Sequence, residues 1–225
     1  MSSRKGIQSP EEIAQFLPSM ASFREYQLQA IKRVVFRTLK SRTRLLLTLP
    51  TGAGKSWIIA GIASALKNIT AKRDQSHKKI LVLAPSGEIV EQNHEKMVQS
   101  GFKADIFSSN LGYKNSDEDI IYGTPRSVLG SIDTFTQYDF AAVFIDEAHS
   151  HPPTIQTIIE TLKGVNPNLR VIGLTATPYK LNYGYIYHQD IYRNLEPLSE
   201  QFAREPYFDE LVYEITPQEL IEEAH

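Results

Sequence analysis

LLLTLPTGAGKSWIIAG, residues 45–61, sets a leucine-rich run ahead of a proline and two spaced glycines, then a Lys-Ser pair, then residues that continue as a helix. A buried strand, a tight turn and a helix in that order form a phosphate cradle. Gly52 and Gly54 let the backbone turn sharply and aim its N–H groups inward, and the helix adds its positive N-terminal end. Lys55 can then reach the β/γ-phosphates and the Ser56 hydroxyl can ligate magnesium. The nucleotide-binding segment expected here is Pro50, Thr51, Gly52, Ala53, Gly54, Lys55 and Ser56, with ATP and Mg2+ as its ligands. The strict pattern has glycine where Leu49 stands, so this is a relaxed version, and a glycine-rich turn with a solvated lysine is the plain alternative.

Outward from this segment, continuous apolar runs return at KILVLAP, DIIYG, AAVFIDE and RVIGLTA, separated by helical stretches such as GEIVEQNHEKMVQ and PTIQTIIETLKG. Continuous runs rather than strict alternation predict a parallel sheet covered on both faces, hence an α/β domain. Ser9-Pro10-Glu11-Glu12 reads as a capping-box start to a short helix, EEIAQFL. A longer helix follows from Arg24, and KNITAKRDQSHKK reads as a surface loop. At 225 residues and 41% hydrophobic content, one large domain is expected. The formal net charge of −2 provides no global field for nucleic acid, so any such surface is local. No cysteine is present, which removes disulfides, thiol catalysis and zinc fingers and fits a reducing compartment. With no long apolar stretch, the expected location is cytoplasmic, with no membrane partner.

A second segment decides between the cradle and its plain alternative. VFIDEAHS ends a buried strand in Asp146-Glu147, two carboxylates at the carboxyl edge of a sheet, where ligands of open α/β folds bind. Asp146 suits holding magnesium through its water shell, and Glu147 suits orienting and deprotonating an attacking water. Lys55, Asp146 and Glu147 are the catalytic candidates; Ser56 and Asp146 are those for the metal.

The order of these and further motifs resembles the superfamily 2 helicases and translocases. PTGAGKS looks like their motif I, LVLAPSGEIVEQ like motif Ia, YGTPRS like motif Ib, DEAH like motif II and LTATP like motif III; FREYQ looks like the adenine-reading Q motif. The resemblance implies a RecA-like P-loop NTPase fold, mainly a parallel sheet with helices on both faces. It assigns Arg24 and Gln27 to the nucleotide and His149, Thr175, Ala176 and Thr177 to coupling between nucleotide and nucleic acid. Pro85, Ser86, Thr124, Pro125 and Arg126 go to the nucleic-acid backbone, although Thr124 and Pro125 also read as an ordinary helix start. Within the superfamily, EQNHEKMVQSGFKADIFSSNLG, VNPNLRVIGLTATPYKLNYGYIYH and FDELVYEITPQELIEEAH resemble the RadD-type DNA-repair ATPases. That favours sequence-independent binding of single-stranded or branched DNA over RNA.

The organisation expected is an N-terminal extension with a short helix at 1–22, a first RecA-like domain at 23–205, and a segment at 206–225 leading toward a second RecA-like domain that the sequence lacks. The chain therefore reads as part of a longer motor. A non-hydrolysing nucleic-acid or protein-binding module and an RNA helicase domain are the alternatives; a small-molecule kinase leaves motifs Ia, Ib and III without work. A metal site at His149 and His151 is disfavoured for want of partners at ligand spacing. The tyrosines of YKLNYGYIYHQDIY read as packing rather than base-stacking, and Trp57 as core.

Overall fold

In the computed structural model, residues 6–19, 22–150, 153–180, 184–188 and 206–222 are described. Consecutive residues of each central strand enter opposite cores. In β1 (Leu45–Thr48), Leu45 and Leu47 face one cluster and Leu46 the other; in β6 (Phe140–Asp146), Phe144 faces the first and Val143 and Ile145 the second. A strand buried on both sides has no polar face to alternate, which is why its sequence is a continuous apolar run.

The sheet has the order β10-β1-β7-β6-β2-β5-β3-β4, in which β2 is Lys79–Leu83, β3 Asp105–Ser108, β4 Tyr113–Lys114, β5 Ile120–Gly123, β7 Arg170–Thr175 and β10 Glu210–Glu214. All pairings are parallel except that of β3 with β4. Helices α1 (Glu25–Lys40), α2 (Lys55–Lys72) and α3 (Gly87–Gln99) cover one face. Helices α4 (Pro125–Leu129), α5 (Ile132–Phe135) and α6 (Pro153–Val165) cover the other. The expected α/β architecture, a mostly parallel sheet between two helical layers, is the one observed. Among the described residues, no helix is long and apolar enough to cross a membrane.

Register brings the strand ends level. Thr48 of β1 stands opposite Thr175 of β7, Leu174 opposite Asp146 of β6, Ile145 opposite Leu83 of β2, and Leu83 opposite Gly123 of β5. The loops that follow these strands therefore emerge along one edge.

Several local expectations are corrected. Pro10–Phe16 is a 3-10 helix, and Ser9 makes no side-chain cap; Glu12 instead reaches back to the Gln8 amide at 3.3 Å. α2 runs on to Lys72, so the first part of the expected loop is helical. There the buried Lys67 donates from Nζ to the carbonyls of Ser76 and Lys78, at 2.6 and 2.8 Å, and pairs with Asp119 at 3.0 Å. Trp57 is only partly buried, with the Lys96 ammonium 5.4 Å from its ring centroid. Tyr179, Tyr185 and Tyr187 meet edge to face around the short pair β8 (Tyr179–Lys180) and β9 (Gly184–Tyr185). Tyr183, Tyr192 and His151 lie outside the described residues.

The segment set apart from residue 206 contributes to the same sheet. β10 pairs in parallel with β1, and the chain before it is lashed to the start of β1 by Arg44, whose Nη2 and Nε donate to the two Asp209 oxygens at 2.6 and 3.1 Å. Phe208 sits fully buried over Gly173 of β7: a Cβ there would lie 2.4 Å from the Phe208 ring and 3.1 Å from the Ala148 Cβ. α7 (Pro217–Glu222) follows.

This seat yields a test. Gly173→Ala should cost about 1–3 kcal/mol by overpacking, and Phe208→Leu in the same chain should restore part of it. Urea midpoints measure both; an unchanged midpoint for Gly173→Ala would mean that Phe208 is not seated on β7.

Candidate functional site at the carboxyl edge of the sheet

The loop after β1 is tied to β7 through the Leu49 amide, which donates to the Thr175 carbonyl at 2.9 Å. It then turns through Gly52 and Gly54, at φ of 86° and 72°, values that L side chains rarely adopt. The start of α1 fastens the turn from outside: the Tyr26 hydroxyl and Gln27 Nε2 both donate to the Ala53 carbonyl, at 2.9 and 3.1 Å. Gln27 Oε1 accepts from the Arg24 amide at 3.0 Å, so the glutamine expected to read a base also caps its own helix and braces the loop. A Cβ at position 54 would lie 2.6 Å from Gln27 Nε2, so a side chain there would push the glutamine off the loop. Thr51 and Gly52 are exposed, and Lys55 and Ser56 open α2.

Lys55 Nζ lies 3.4 Å from Glu147 Oε1, and the other carboxylate oxygen of Glu147 lies 3.3 Å from His149 Nδ1. The same His149 nitrogen is 2.9 Å from Thr175 Oγ1, which in turn donates to the Thr177 carbonyl at 3.0 Å and accepts from its amide at 3.1 Å. Glu147 is held at φ 50°, in the left-handed region; such strain in a non-glycine residue persists only when surrounding contacts over-determine it. One continuous set of contacts thus joins α2, the end of β6 and the end of β7. Ala176, between the two threonines, is partly buried.

Asp146 is 5% exposed. Its Oδ1 accepts from the Glu147 amide at 2.9 Å and its Oδ2 from Asn93 Nδ2 at 2.8 Å. Burial holds its carboxyl above the ordinary range; the Asn93 hydrogen bond works against that rise, the Glu147 charge adds to it, and Lys55 opposes it. Asn93 was not among the sequence candidates. Its signal is slight: a polar residue at a position of α3 that the structure buries. Tyr122 of β5, likewise missed, is fully buried beside Asp146, and its hydroxyl has no hydrogen-bond partner. Burial first, and the Asp146 charge second, push its phenol far upward.

Beyond Asp146 the edge opens into a cleft of about 900 Å3. Pro85, Ser86, Thr124, Pro125 and Arg126 all line it, together with both carboxylate residues. Thr124 and Pro125 are buried, whereas Arg126 and Pro85 are exposed. The Thr124 hydroxyl donates to Ser127 Oγ at 2.9 Å, and the Ser109 amide donates to the same oxygen at 2.9 Å. Ser109, Asn110, Ser127 and Thr154 also line the cleft. Their sequence signal was weak, since short polar residues in loops are ordinary.

Comparison with known proteins places residues 20–180 in the family described as the type III restriction enzyme, res subunit. The chain is similar to "Putative ATP-dependent helicase IRC3" of Saccharomyces cerevisiae, with 25% identity over 159 residues, covering 68% of this chain and 23% of that protein. Among solved structures it resembles the UvsW helicase of bacteriophage T4, with a TM-score of 0.58 and 24% identity over 77% of this chain and 62% of the other. It also resembles the DEAD-box helicase Mss116 bound to ssRNA and UDP-BeF, with a TM-score of 0.61 and 13% identity over 77% of this chain and 42% of the other. The chain thus spans about a quarter of the curated relative, and the likeness to the solved structures is one of fold.

The buried carboxylate makes a stability prediction. With its folded pKa above the unfolded one, Asp146 is stabilising at low pH and loses that contribution as pH rises through the folded value. Asp146→Asn should therefore unfold at higher urea than the parent at pH 7, the gap closing toward pH 4. Asn93→Ala, which leaves a buried carboxylate oxygen unpartnered, should lower stability by about 1–3 kcal/mol. Urea melts at both pH values read these effects; a pH-independent gap for Asp146→Asn would remove burial as the dominant influence.

Proposed function

Since the chain belongs to the type III restriction enzyme res-subunit family, the ResIII domain of superfamily 2 helicases, we propose that it is the ATP-binding domain of a DNA helicase or translocase. It would work with a second RecA-like domain of a longer protein, as the sequence resemblance implies. The observation that carries the proposal is the Glu147 carboxylate, held between Lys55 Nζ at 3.4 Å and His149 Nδ1 at 3.3 Å at the end of β6. A base that serves a water beside a bound phosphate needs a fixed orientation within reach of the phosphate site, and Glu147 is held between the phosphate-loop lysine and His149.

Roles follow from position. Lys55 and the amides of the 50–56 loop bind phosphate, with Gly52 and Gly54 permitting the backbone's approach. Gln27, together with Arg24, faces the base. Its Oε1 and one Nε2 hydrogen are engaged, and the second Nε2 hydrogen remains for recognition. The donor set fits magnesium: Ser56 offers a hydroxyl at the helix start, and both Asp146 oxygens already accept a protein hydrogen bond, which suits holding the ion through water rather than directly. Bound magnesium would neutralise phosphate charge. Glu147 orients and deprotonates the water. His149 and Thr175 transmit its state toward Thr177 and the cleft, where Ser86, Thr124 and Arg126 grip the nucleic-acid backbone without reading bases.

DNA as the substrate, single-stranded or branched, and a place among the RadD-type repair ATPases rest on the segments around motifs Ia and III. Phosphoryl transfer depends on charge stabilisation, and an arginine finger is worth roughly three to five orders of magnitude in rate. The resemblance implies that this arginine comes from the second domain, so the chain by itself should turn over slowly.

Calorimetry with magnesium and ATP should show binding by the parent and none by a folded Lys55→Ala; equal affinity would overturn the phosphate cradle. Phosphate release should be slow in the parent and absent in Glu147→Gln; rapid DNA-stimulated release by the chain alone would remove the need for a second domain's arginine.

Anisotropy with unrelated DNA and RNA oligonucleotides across a salt series should show weak, sequence-independent binding. Arg126→Ala should lower the salt slope by about one. Tight sequence-selective binding would favour a binding module, and RNA bound in preference to DNA would favour an RNA helicase.

A further inference from the structure

At the amino edge of the sheet, opposite the loops described above, the ends of α1 and α2 meet the first residues of β6 and β7 around a cavity of about 290 Å3. Arg42, Arg73, Lys78 and Arg170 line it, and no Asp or Glu is among the described residues that do. In a chain with a formal net charge of −2, that is a local concentration of positive charge. Lys78 is paired with Asp139 at 3.5 Å, which leaves the arginines as the uncompensated charge.

Two buried polar atoms among these lining residues have no partner. Thr38, 3% exposed, has an unbonded Oγ1, although a hydroxyl within a helix commonly bonds the carbonyl one turn back. The Arg170 Nη1 is buried and donates to nothing. Burial is the larger disfavouring influence on the Arg170 charge, and the Arg42 charge adds to it; a guanidinium does not give up its proton in proteins, so an anion placed between the two would relieve both influences.

Helix dipoles account for only part of this arrangement. The carboxyl ends of α1 and α2 favour a cation nearby, which suits Arg42 and Arg73. Arg170 opens a strand, so the same explanation does not reach it.

We propose that this cavity is a binding site for a phosphate-class oxyanion, gripped by the guanidiniums of Arg170 and Arg42 that line it. A planar guanidinium presents paired N–H groups that match phosphate oxygens. The size admits a phosphate or pyrophosphate group, borne free or as part of a nucleic-acid backbone. The site is independent of the function proposed above, since it lies at the other edge of the sheet.

The test uses the whole chain carrying Lys55→Ala, so that phosphate at the carboxyl edge does not contribute. The Nε–Hε resonances of Arg170 and Arg42 are followed by NMR during titration with inorganic pyrophosphate, with a short single-stranded oligonucleotide, and with sodium chloride at matched ionic strength. Saturable shifts with pyrophosphate but not with the oligonucleotide identify a free phosphate-bearing ligand. Saturable shifts with the oligonucleotide identify a second nucleic-acid contact. Either should weaken by about tenfold or more in Arg170→Gln, the loss expected for a charge-assisted hydrogen bond. If that variant fails to fold, Arg42→Gln, at an exposed position, carries the same comparison on the Arg170 resonance. Shifts that chloride reproduces, that never saturate, or that persist undiminished in the variants would overturn the proposal.

Discussion

Parallel strands can share one functional edge only if every crossover returns the chain to the opposite edge before the next strand begins. In this protein helices on both faces make most of the described returns, the antiparallel strand β4 makes the one from β3 to β5, and the register sets Thr48, Thr175, Asp146, Leu83 and Gly123 at neighbouring levels. Everything chemically distinctive grows from that alignment. Lys55 meets Glu147 across the intervening strand β7, and the cleft beyond Asp146 is lined by the residues that follow β2 and β5.

The alignment comes with a cost. A carboxylate brought to the end of a central strand is desolvated, and at Asp146 an asparagine from α3, the neighbouring amide and Lys55 work against the rise in pKa that burial causes. Glu147 pays with a left-handed backbone. Both are local departures from what packing alone would choose. They sit where sequence, site geometry and family membership converge, which is where such departures are expected. The amino edge shows a different departure, a half-buried arginine without an acidic partner among the described residues that line its cavity.

The architecture was largely legible because its strands are buried on both faces: runs such as LLLTL and AAVFID leave little else for a globular chain to do. The strands at the sheet's margins were not. DIFS is interrupted by polar residues because β3 is only half covered, and ELVYE of β10 carries glutamates at both ends because it is an edge. A weak strand pattern pairs when a neighbour offers an open edge, and no local window contains the neighbour. The end of α2 was misread for the related reason that Lys67, polar in sequence, is buried once Ser76, Lys78 and Asp119 surround its ammonium.

By itself the sequence determined which residues could carry phosphate chemistry, because glycines at 52 and 54, a lysine at 55 and adjoining carboxylates at 146 and 147 are choices of residue type whose properties travel with the chain. The tertiary structure alone decided which distant residues complete them. Asn93, 53 positions from Asp146, reaches it because α3, packed on β3, β5 and α2, carries its amide to the end of β6. Tyr26 and Gln27 brace the 50–56 loop because α1 lies beside α2. Phe208 seats the final strand because Gly173 leaves a ring-sized space. Such partnerships depend on how elements stack, and stacking is a property of surfaces that form only when the chain has folded.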